Sequence, residues 1–570
     1  MRGRREPAFA VGLCTLLALL ARMISLRALP IFGDEALNLR MAILAAKEPF
    51  SRMWISFQES QPPLHVWLLA LFLPLSPDPV LAGRLLSIVA GVLCVPAAAW
   101  TARRILGAFG ANPLDVRIAT AATAALLALC PFFVFTERMA RVDGLFLLES
   151  ILATGLSVAI ASASKARVLR LGALYGLVMG LTMLTRQAVS YPLWALPPIA
   201  WALLPRGTGA TAAGGRLMGS RLLAALLLAS AVAAALWIPM LLAPGEPDTF
   251  TRIFHSADYR PALSLAGRLR MTLDSLGLSV ESFWVYLTPP VLVLAAVGAA
   301  ALLASKRWRL LAYLLFWETL LLLPVAAFAG SYFPRYALSA AVPVCVLSAL
   351  GVSRLWMLLG MRMRTTAARA AIGVLLAVLL GPSALDLVRG ERDWRDWRLL
   401  PIDRWQFLSG PPAGFASEAA ADALRRIATE QAEPPGRIAV LTPGISGNPT
   451  DAIWVLLGRD PRVRLSYTSD ALAGPLLPEA GVDGTRRLSG DTRDPLARPV
   501  AIPAGAPVFA VVPDPLFTRA GWVDAVPFLS RLNPRMSEVA RFRNPEEPGT
   551  GTGTGRPANA VIVLELPGNP

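Results

Sequence analysis

Gly33-Asp34-Glu35-Ala36-Leu37-Asn38 interrupts the chain directly after its first long apolar run, residues 9–29. A run of that length suits a membrane crossing, which takes about 20 apolar residues. The polar stretch behind it reads as the start of a loop at the membrane surface. Two adjacent carboxylates there can do acid/base work in water, whereas inside the hydrocarbon they would be costly. The reading of the whole chain grows from this alternation of apolar run and short charged loop.

The alternation continues for most of the length. The 570 residues are 55% hydrophobic and the mean hydropathy is +0.54, too apolar for a soluble globular protein. The net charge of +16 is unevenly spread: residues 391–570 hold 20 Arg against 21 acids, which leaves 34 basic against 17 acidic residues on the first 390. There the basic residues cluster in short loops, at Arg2/Arg4/Arg5, Arg103/Arg104/Arg117, Lys165/Arg167/Arg170, Arg206/Arg216/Arg221, Lys306/Arg307/Arg309 and Arg362/Arg364/Arg369. That distribution marks cytoplasmic loops and argues against a nucleic-acid partner. Cys14, Cys94, Cys130 and Cys345 all lie in apolar segments and encode neither a disulfide framework nor a zinc site. Arg2, Arg4 and Arg5 before an apolar run resemble a signal peptide, but no small-residue cleavage site follows, so we expect a retained first helix.

Two crossings between successive basic clusters give about eleven spans, near 9–29, 80–100, 118–135, 144–162, 171–187, 188–204, 221–243, 284–304, 309–328, 336–358 and 370–389. The N-terminus is then cytoplasmic and the C-terminus outside. The apolar run from Pro63 to Leu73 is too short to span and would break this parity, so it reads as an interfacial or re-entrant helix. The expected domains are a polytopic membrane domain, 1–389, with external loops 32–79 and 244–283, and a soluble extracytoplasmic α/β domain, 390–570. In the latter, Arg437–Gly444, Arg462–Tyr467, Pro507–Pro513 and Asn559–Leu566 read as strands and Ser417–Glu430 as a helix.

Several short motifs run in order along the membrane half: Gly33-Asp34-Glu35-Ala36, Gln61-Pro62-Pro63-Leu64, Arg84-Leu85-Leu86-Ser87, Ala140-Arg141-Val142-Asp143, Leu184-Thr185-Arg186-Gln187 and Arg335-Tyr336. Asp393-Trp394-Arg395 and Ser409-Gly410-Pro411-Pro412-Ala413-Gly414-Phe415 follow. Together they resemble the bacterial GT-C glycosyltransferases of family 39, the group with the protein O-mannosyltransferases and the lipid A aminoarabinose transferase. The resemblance implies an inverting transferase in the inner cell membrane. Such an enzyme moves a sugar from a polyprenyl-phosphate donor to an envelope acceptor (protein, lipid or polysaccharide) on the extracytoplasmic face. The rival reading is a transporter or lipid flippase with an accessory outer domain, which would show internal symmetry and midplane polar breaks.

By carry-over from the family's Asp-Glu pair, Asp34 is the expected catalytic base, with Glu35 orienting the acceptor or tuning its neighbour. The competing structural role for Asp34 is an N-cap. Arg141, Arg186 and Arg335 are the expected donor-phosphate cations, because guanidinium groups stay charged and bind phosphate through two contacts. Where this chain has Arg186-Gln187, many relatives carry Lys followed by Gly. Asp143 reads first as the ion-pair partner of Arg141; His65 and Arg138 are further candidate substrate contacts, and Asp143 could join them. Arg84 should pair locally. No metal ligand set is visible, since two separate histidines make none, and the sequence leaves open whether a divalent metal assists. Glu149 and Glu318 fall within spans and have no identifiable partner. Thr442–Asn448 looks superficially like a phosphate loop but lacks the Lys and the spacing, and reads as a plain strand-to-helix turn.

Overall fold

The computed structural model describes residues 6–59, 61–186, 190–205, 212–241, 264–329, 332–362, 392–410, 412–430, 438–442, 447–467, 507–513, 537–544 and 560–566, with short pieces between 370 and 390 and at 479–480, 485–488 and 500–503. The chain divides into two compact units. The first is residues 1–26, 48–72 and 84–400; the second is 27–47, 73–83 and 401–570. The expected division at 389/390 is continuous in sequence, whereas these units are not. The grouping of 27–47 and 73–83 with the C-terminal residues is a feature that composition did not announce.

The first unit is helical. Its elements are α1 (Glu6–Met23), α3 (Pro49–Arg52), α4 (Leu64–Phe72), the greater part of α5 (Pro79–Ala108), α6 (Pro113–Leu129), α7 (Pro131–Thr136), α8 (Val142–Ala161), α9 (Lys165–Thr185), α10 (Leu196–Leu203), α11 (Ala212–Leu241), α12 (Leu265–Ser282), α13 (Pro289–Ala304), α14 (Trp308–Phe328) and α15 (Ala341–Arg362). α2 (Gly33–Lys47) belongs to the second unit. Among the described residues six helices are long and apolar enough to cross a membrane, lying in α5, α8, α9, α11, α14 and α15; a bent pair, 265–287 with 289–304, makes a seventh if counted as one span.

The expected spans outside these six differ for local reasons. Pro131 ends α6 inside the stretch expected at 118–135, because proline cannot continue a helix's hydrogen bonds. Pro192, Pro197 and Pro198 confine the 188–204 stretch to short helices. The loop expected at 244–283 is helical from Leu265 to Ser282, then turns by 109° at Thr288, whose φ is +72°, before Pro289-Pro290 starts α13. Residues 244–263 of that loop, including Glu246 and His255, lie outside the described residues, as does most of 370–389.

Small residues decide how the spans pack. Gly172, Gly176 and Gly180 repeat every four residues along α9 and face Ala225, Ala229 and Ala233 of α11, where a Cβ on Gly176 would collide with the Ala229 backbone. Gly298 of α13 and Gly351 of α15 meet in the same way, each against the other helix's carbonyls. With lipid as apolar as the helices, such close backbone approach supplies the association. A polar lock holds the C-terminal end of α1. Pro131 has no N–H and the helix breaks there, so the Leu127 and Ala128 carbonyls need other donors. The buried Arg22 guanidinium donates to both, at 3.0 and 3.1 Å, and pairs with the buried Glu137 carboxylate at 2.5 Å.

In the second unit a five-stranded sheet has the order β2-β1-β6-β8-β7, from β1 (Ile438–Thr442), β2 (Val463–Tyr467), β6 (Val508–Pro513), β7 (Ser537–Arg543) and β8 (Ala560–Leu566). β1 runs parallel to β2 and β6, and β8 antiparallel to β6 and β7. β3 (Glu479–Ala480), β4 (Thr485–Leu488) and β5 (Val500–Pro503) form a small antiparallel sheet. The Ile438–Thr442 strand is wholly buried, as its unbroken apolar run requires. α16 (Phe415–Glu430) and α17 (Thr450–Leu457) join β1, β6 and β8 in one core through Leu424, Ile453, Val440, Phe509 and Val563.

Candidate active site

The candidate phosphate-binding cations lie in the first unit. Asp143, in the first turn of α8, is fully buried and bridges two arginines: Arg141 at 2.9 Å, just before the helix, and Arg186 at 2.9 Å, at the C-terminal end of α9. Arg186 lies over the Tyr336 ring at 4.7 Å, and Arg335 lies over Phe333 at 4.2 Å and Tyr336 at 5.2 Å. Asp143, Phe146, Arg186, Arg335, Tyr336 and Ser339 line one small cleft, closed on its apolar side by Leu321 and Val325 of α14. The arginine positions expected from sequence thus converge, and the carboxylate between two of them sets their orientation. Packing against aromatic faces holds a guanidinium in place while leaving its edge N–H groups available for hydrogen bonds.

His65, in the first turn of α4, is buried, and among the described residues neither ring nitrogen has a hydrogen-bond partner. Burial pushes its pKa down to about 4; the nearby Asp143 opposes the shift and Arg141 adds to it. The imidazole is therefore neutral at neutral pH, an uncharged donor and acceptor beside the Asp143–Arg141 pair. Arg138 points elsewhere: its guanidinium donates to the Ile24 carbonyl, as Arg84 does to Leu26, so both tie down the chain after α1.

The candidate carboxylates lie in the second unit. α2 begins at Gly33, and the Phe32 carbonyl accepts the Ala36 N–H at 2.8 Å. Phe32 is therefore the N-cap and Asp34 stands inside the first turn, which removes the cap as Asp34's role. Asp34 is half-buried. Glu35 is fully buried and reaches back to accept the Phe32 N–H at 3.2 Å, the reciprocal half of a capping box. Both carboxylates suit the positive end of the helix dipole. Among the described residues no three of His, Cys, Asp and Glu gather as a metal site.

Sequence reasoning missed the contributions of Phe146 and Tyr336 to the cleft, although Tyr336 directly follows Arg335, and missed Phe333 beneath the Arg335 guanidinium. It also left Glu149 out. That residue is buried in α8 and accepts the Thr185 hydroxyl at 2.9 Å, next to Arg186.

No protein-family model and no curated protein matches the chain. Solved structures do match. ArnT from Cupriavidus metallidurans in the apo state aligns over 99% of this chain and 98% of its own, with a TM-score of 0.56 and 15% identity. The same protein bound to undecaprenyl phosphate aligns over 97% of each chain, with a TM-score of 0.57 and 15% identity. The chain has the ArnT fold. ArnT is a lipid A aminoarabinose transferase of the GT-C type, so the fold implied by the sequence motifs is the fold observed. The Archaeoglobus fulgidus oligosaccharyltransferase also matches, with a TM-score of 0.46, 12% identity, and coverage of 88% of this chain and 67% of that one. The ArnT-like fold runs through both units.

Proposed function

We propose that the protein is a membrane-embedded inverting glycosyltransferase that takes a sugar from a polyprenyl-phosphate donor and passes it to an envelope acceptor on the extracytoplasmic face. The observation that carries this reading is the cleft of Asp143, Arg186 and Arg335, with Arg141 on the same aspartate, at the ends of apolar helices in an ArnT-like fold. A polyprenyl phosphate keeps its chain in lipid and its head at the interface, and its head needs fixed cations there.

In the proposed step Asp34 accepts the proton of the acceptor's nucleophile, which attacks the anomeric carbon from the face opposite the phosphate. The anomeric C–O bond breaks and its electron pair stays on the phosphate oxygen. The phosphate gains a negative charge as it leaves, and Arg141, Arg186 and Arg335 offset that charge with no reorganisation at the moment of transfer. His65, being neutral, can donate to or accept from a donor oxygen without altering the charge balance. The topology that accompanies this reading has the N-terminus cytoplasmic and the C-terminal domain outside.

The test is mass spectrometry of lipid carriers and envelope glycans with and without the protein. A polyprenyl-phosphate sugar should accumulate when the protein is deleted, and the purified protein should consume it in vesicles. An unchanged lipid-carrier profile, together with no turnover across polyprenyl-phosphate pentoses and hexoses, would overturn the reading.

A further inference from the structure

Residues 447–451, the end of the 442–448 stretch read from sequence as a plain strand-to-helix turn together with the start of α17, contact the helix that carries Asp34 and the chain before it. The Asn448 side-chain amide donates to two carbonyls at once, Ile31 at 3.2 Å and Pro412 at 2.7 Å. Pro412 also accepts the Gly33 N–H at 2.9 Å, so one amide ties together the two segments between which α2 begins. Gly414 lies so close to Ile31 that a Cβ there would strike the Ile31 carbonyl. The Glu418 carboxylate accepts the Ile31 N–H at 3.1 Å.

A second attachment comes from the same turn. The Gly447 N–H donates to Asp451 at 2.5 Å, and the other Asp451 oxygen pairs with the buried Arg40 at 2.6 Å. Gly447 has φ +92°, a conformation that favours glycine, and it lies against Gly33. Seven residues separate Gly33 from Arg40, about 10 Å along a helix. Two attachments that far apart on a rigid helix fix both its axis and its rotation about that axis. They therefore fix the direction in which Asp34 projects.

We propose that Asn448, supported by the Arg40–Asp451 pair, is a positioning residue for the base: the C-terminal domain aims Asp34. The inference rests on the reading of Asp34 as the base. It assigns the outer domain a part in the chemical step itself, through residues that touch no substrate.

The experiment uses the full-length protein in vesicles, with undecaprenyl phosphate as the binding probe and transfer from an undecaprenyl-phosphate sugar as the rate. Asn448→Ala should lower kcat about a hundredfold, the scale of a misplacement near 1 Å, while the Kd for undecaprenyl phosphate stays at the wild-type value. Asn448→Asp, with a carboxylate facing two carbonyl oxygens, should be at least as impaired. In an Asp34→Asn background Asn448→Ala should cost nothing further, because a group that acts only by aiming a base has no effect once the base is gone. Should Asn448→Ala fold poorly, Asp451→Asn tests the second attachment in the same way.

Wild-type kcat in Asn448→Ala, or a full additional loss in the Asp34→Asn background, overturns the proposal while leaving Asp34 as base. Near-normal turnover of Asp34→Asn alone overturns the underlying reading instead.

Discussion

Asp34 and Glu35 are neighbours with different surroundings, and their substitutions should separate. Asp34 is half-buried and is not the N-cap, so Asp34→Asn and Asp34→Ala should behave alike. Each should lower turnover by roughly 100- to 10,000-fold, the usual worth of general-base catalysis, with undecaprenyl phosphate binding and melting temperature near wild type. Glu35, by contrast, holds the Phe32 N–H from a fully buried position. Glu35→Ala should therefore cost about 1 kcal/mol of stability, a typical helix-cap loss, measured by thermal melt. His65 supplies a pH test. Its folded pKa of about 4 lies below the ordinary histidine value, so between those values the unfolded state binds more protons than the folded one. Stability should rise with pH through that window and be complete above about 6.5. Melting temperatures at pH 5 and pH 7.5 should lie closer together in His65→Gln than in the wild type; an unchanged gap would show that His65 is not the group responsible.

At the scale of elements, the α9–α11 seam is the sharpest case. A Cβ on Gly176 would collide with the Ala229 backbone, whereas one on Gly219, in α11, meets nothing within 4 Å. Gly176→Leu should destabilise by about 1–3 kcal/mol, the range for overpacking, and Gly219→Ala should be neutral or slightly stabilising. Arg186 ends α9, so a displaced seam should also weaken undecaprenyl phosphate binding. The Arg22–Glu137 lock predicts a different failure. Arg22→Leu would strand a buried carboxylate and two helix-end carbonyls, and should cost about 3–5 kcal/mol. Tm in a fixed detergent, compared with that of the double variant combining Arg22→Leu and Glu137→Gln, would separate the cost of the unpaired charge from the loss of the pair.

For the molecule as a whole, the expected topology places the second unit outside the membrane. A Cys introduced near Gly410 should label with an impermeant reagent in spheroplasts. The native cysteines make a quiet background, since Cys94, Cys130 and Cys345 are buried and Cys14 is partly so. Labelling only after lysis would place the domain in the cytoplasm and remove the site from the extracytoplasmic face.

Much of the architecture was legible along the chain. Apolar runs of span length, basic loops and the change in composition near 390 are local properties. So is the strand pattern, and the runs at 437–444, 462–467, 507–513 and 559–566 are the observed β1, β2, β6 and β8 within a residue or two at each end. β7 escaped because it is an edge strand, mostly exposed, and its polar Ser-Glu-Val-Ala-Arg-Phe-Arg carries little of the apolar signal. The candidate phosphate arginines could be named individually, since each belongs to a short motif. So could Asp143 as the partner of Arg141; that Arg186 shares this carboxylate and that Tyr336 walls the cleft could not, because residues 143, 186 and 336 meet only when α8, α9 and the chain before α15 are packed. Nor could any run of residues reveal that the helix bearing Asp34 groups with residues 401–570 rather than with the apolar spans beside it in sequence. Composition and periodicity are read over a dozen neighbouring residues, whereas that grouping is accompanied by hydrogen bonds to the Pro412 carbonyl and from the Asn448 amide, roughly 400 residues away along the chain. Sequence by itself determined most of the elements and which side chains could do chemistry, because those are properties of neighbouring residues; the tertiary fold alone decided which of them share a compact unit.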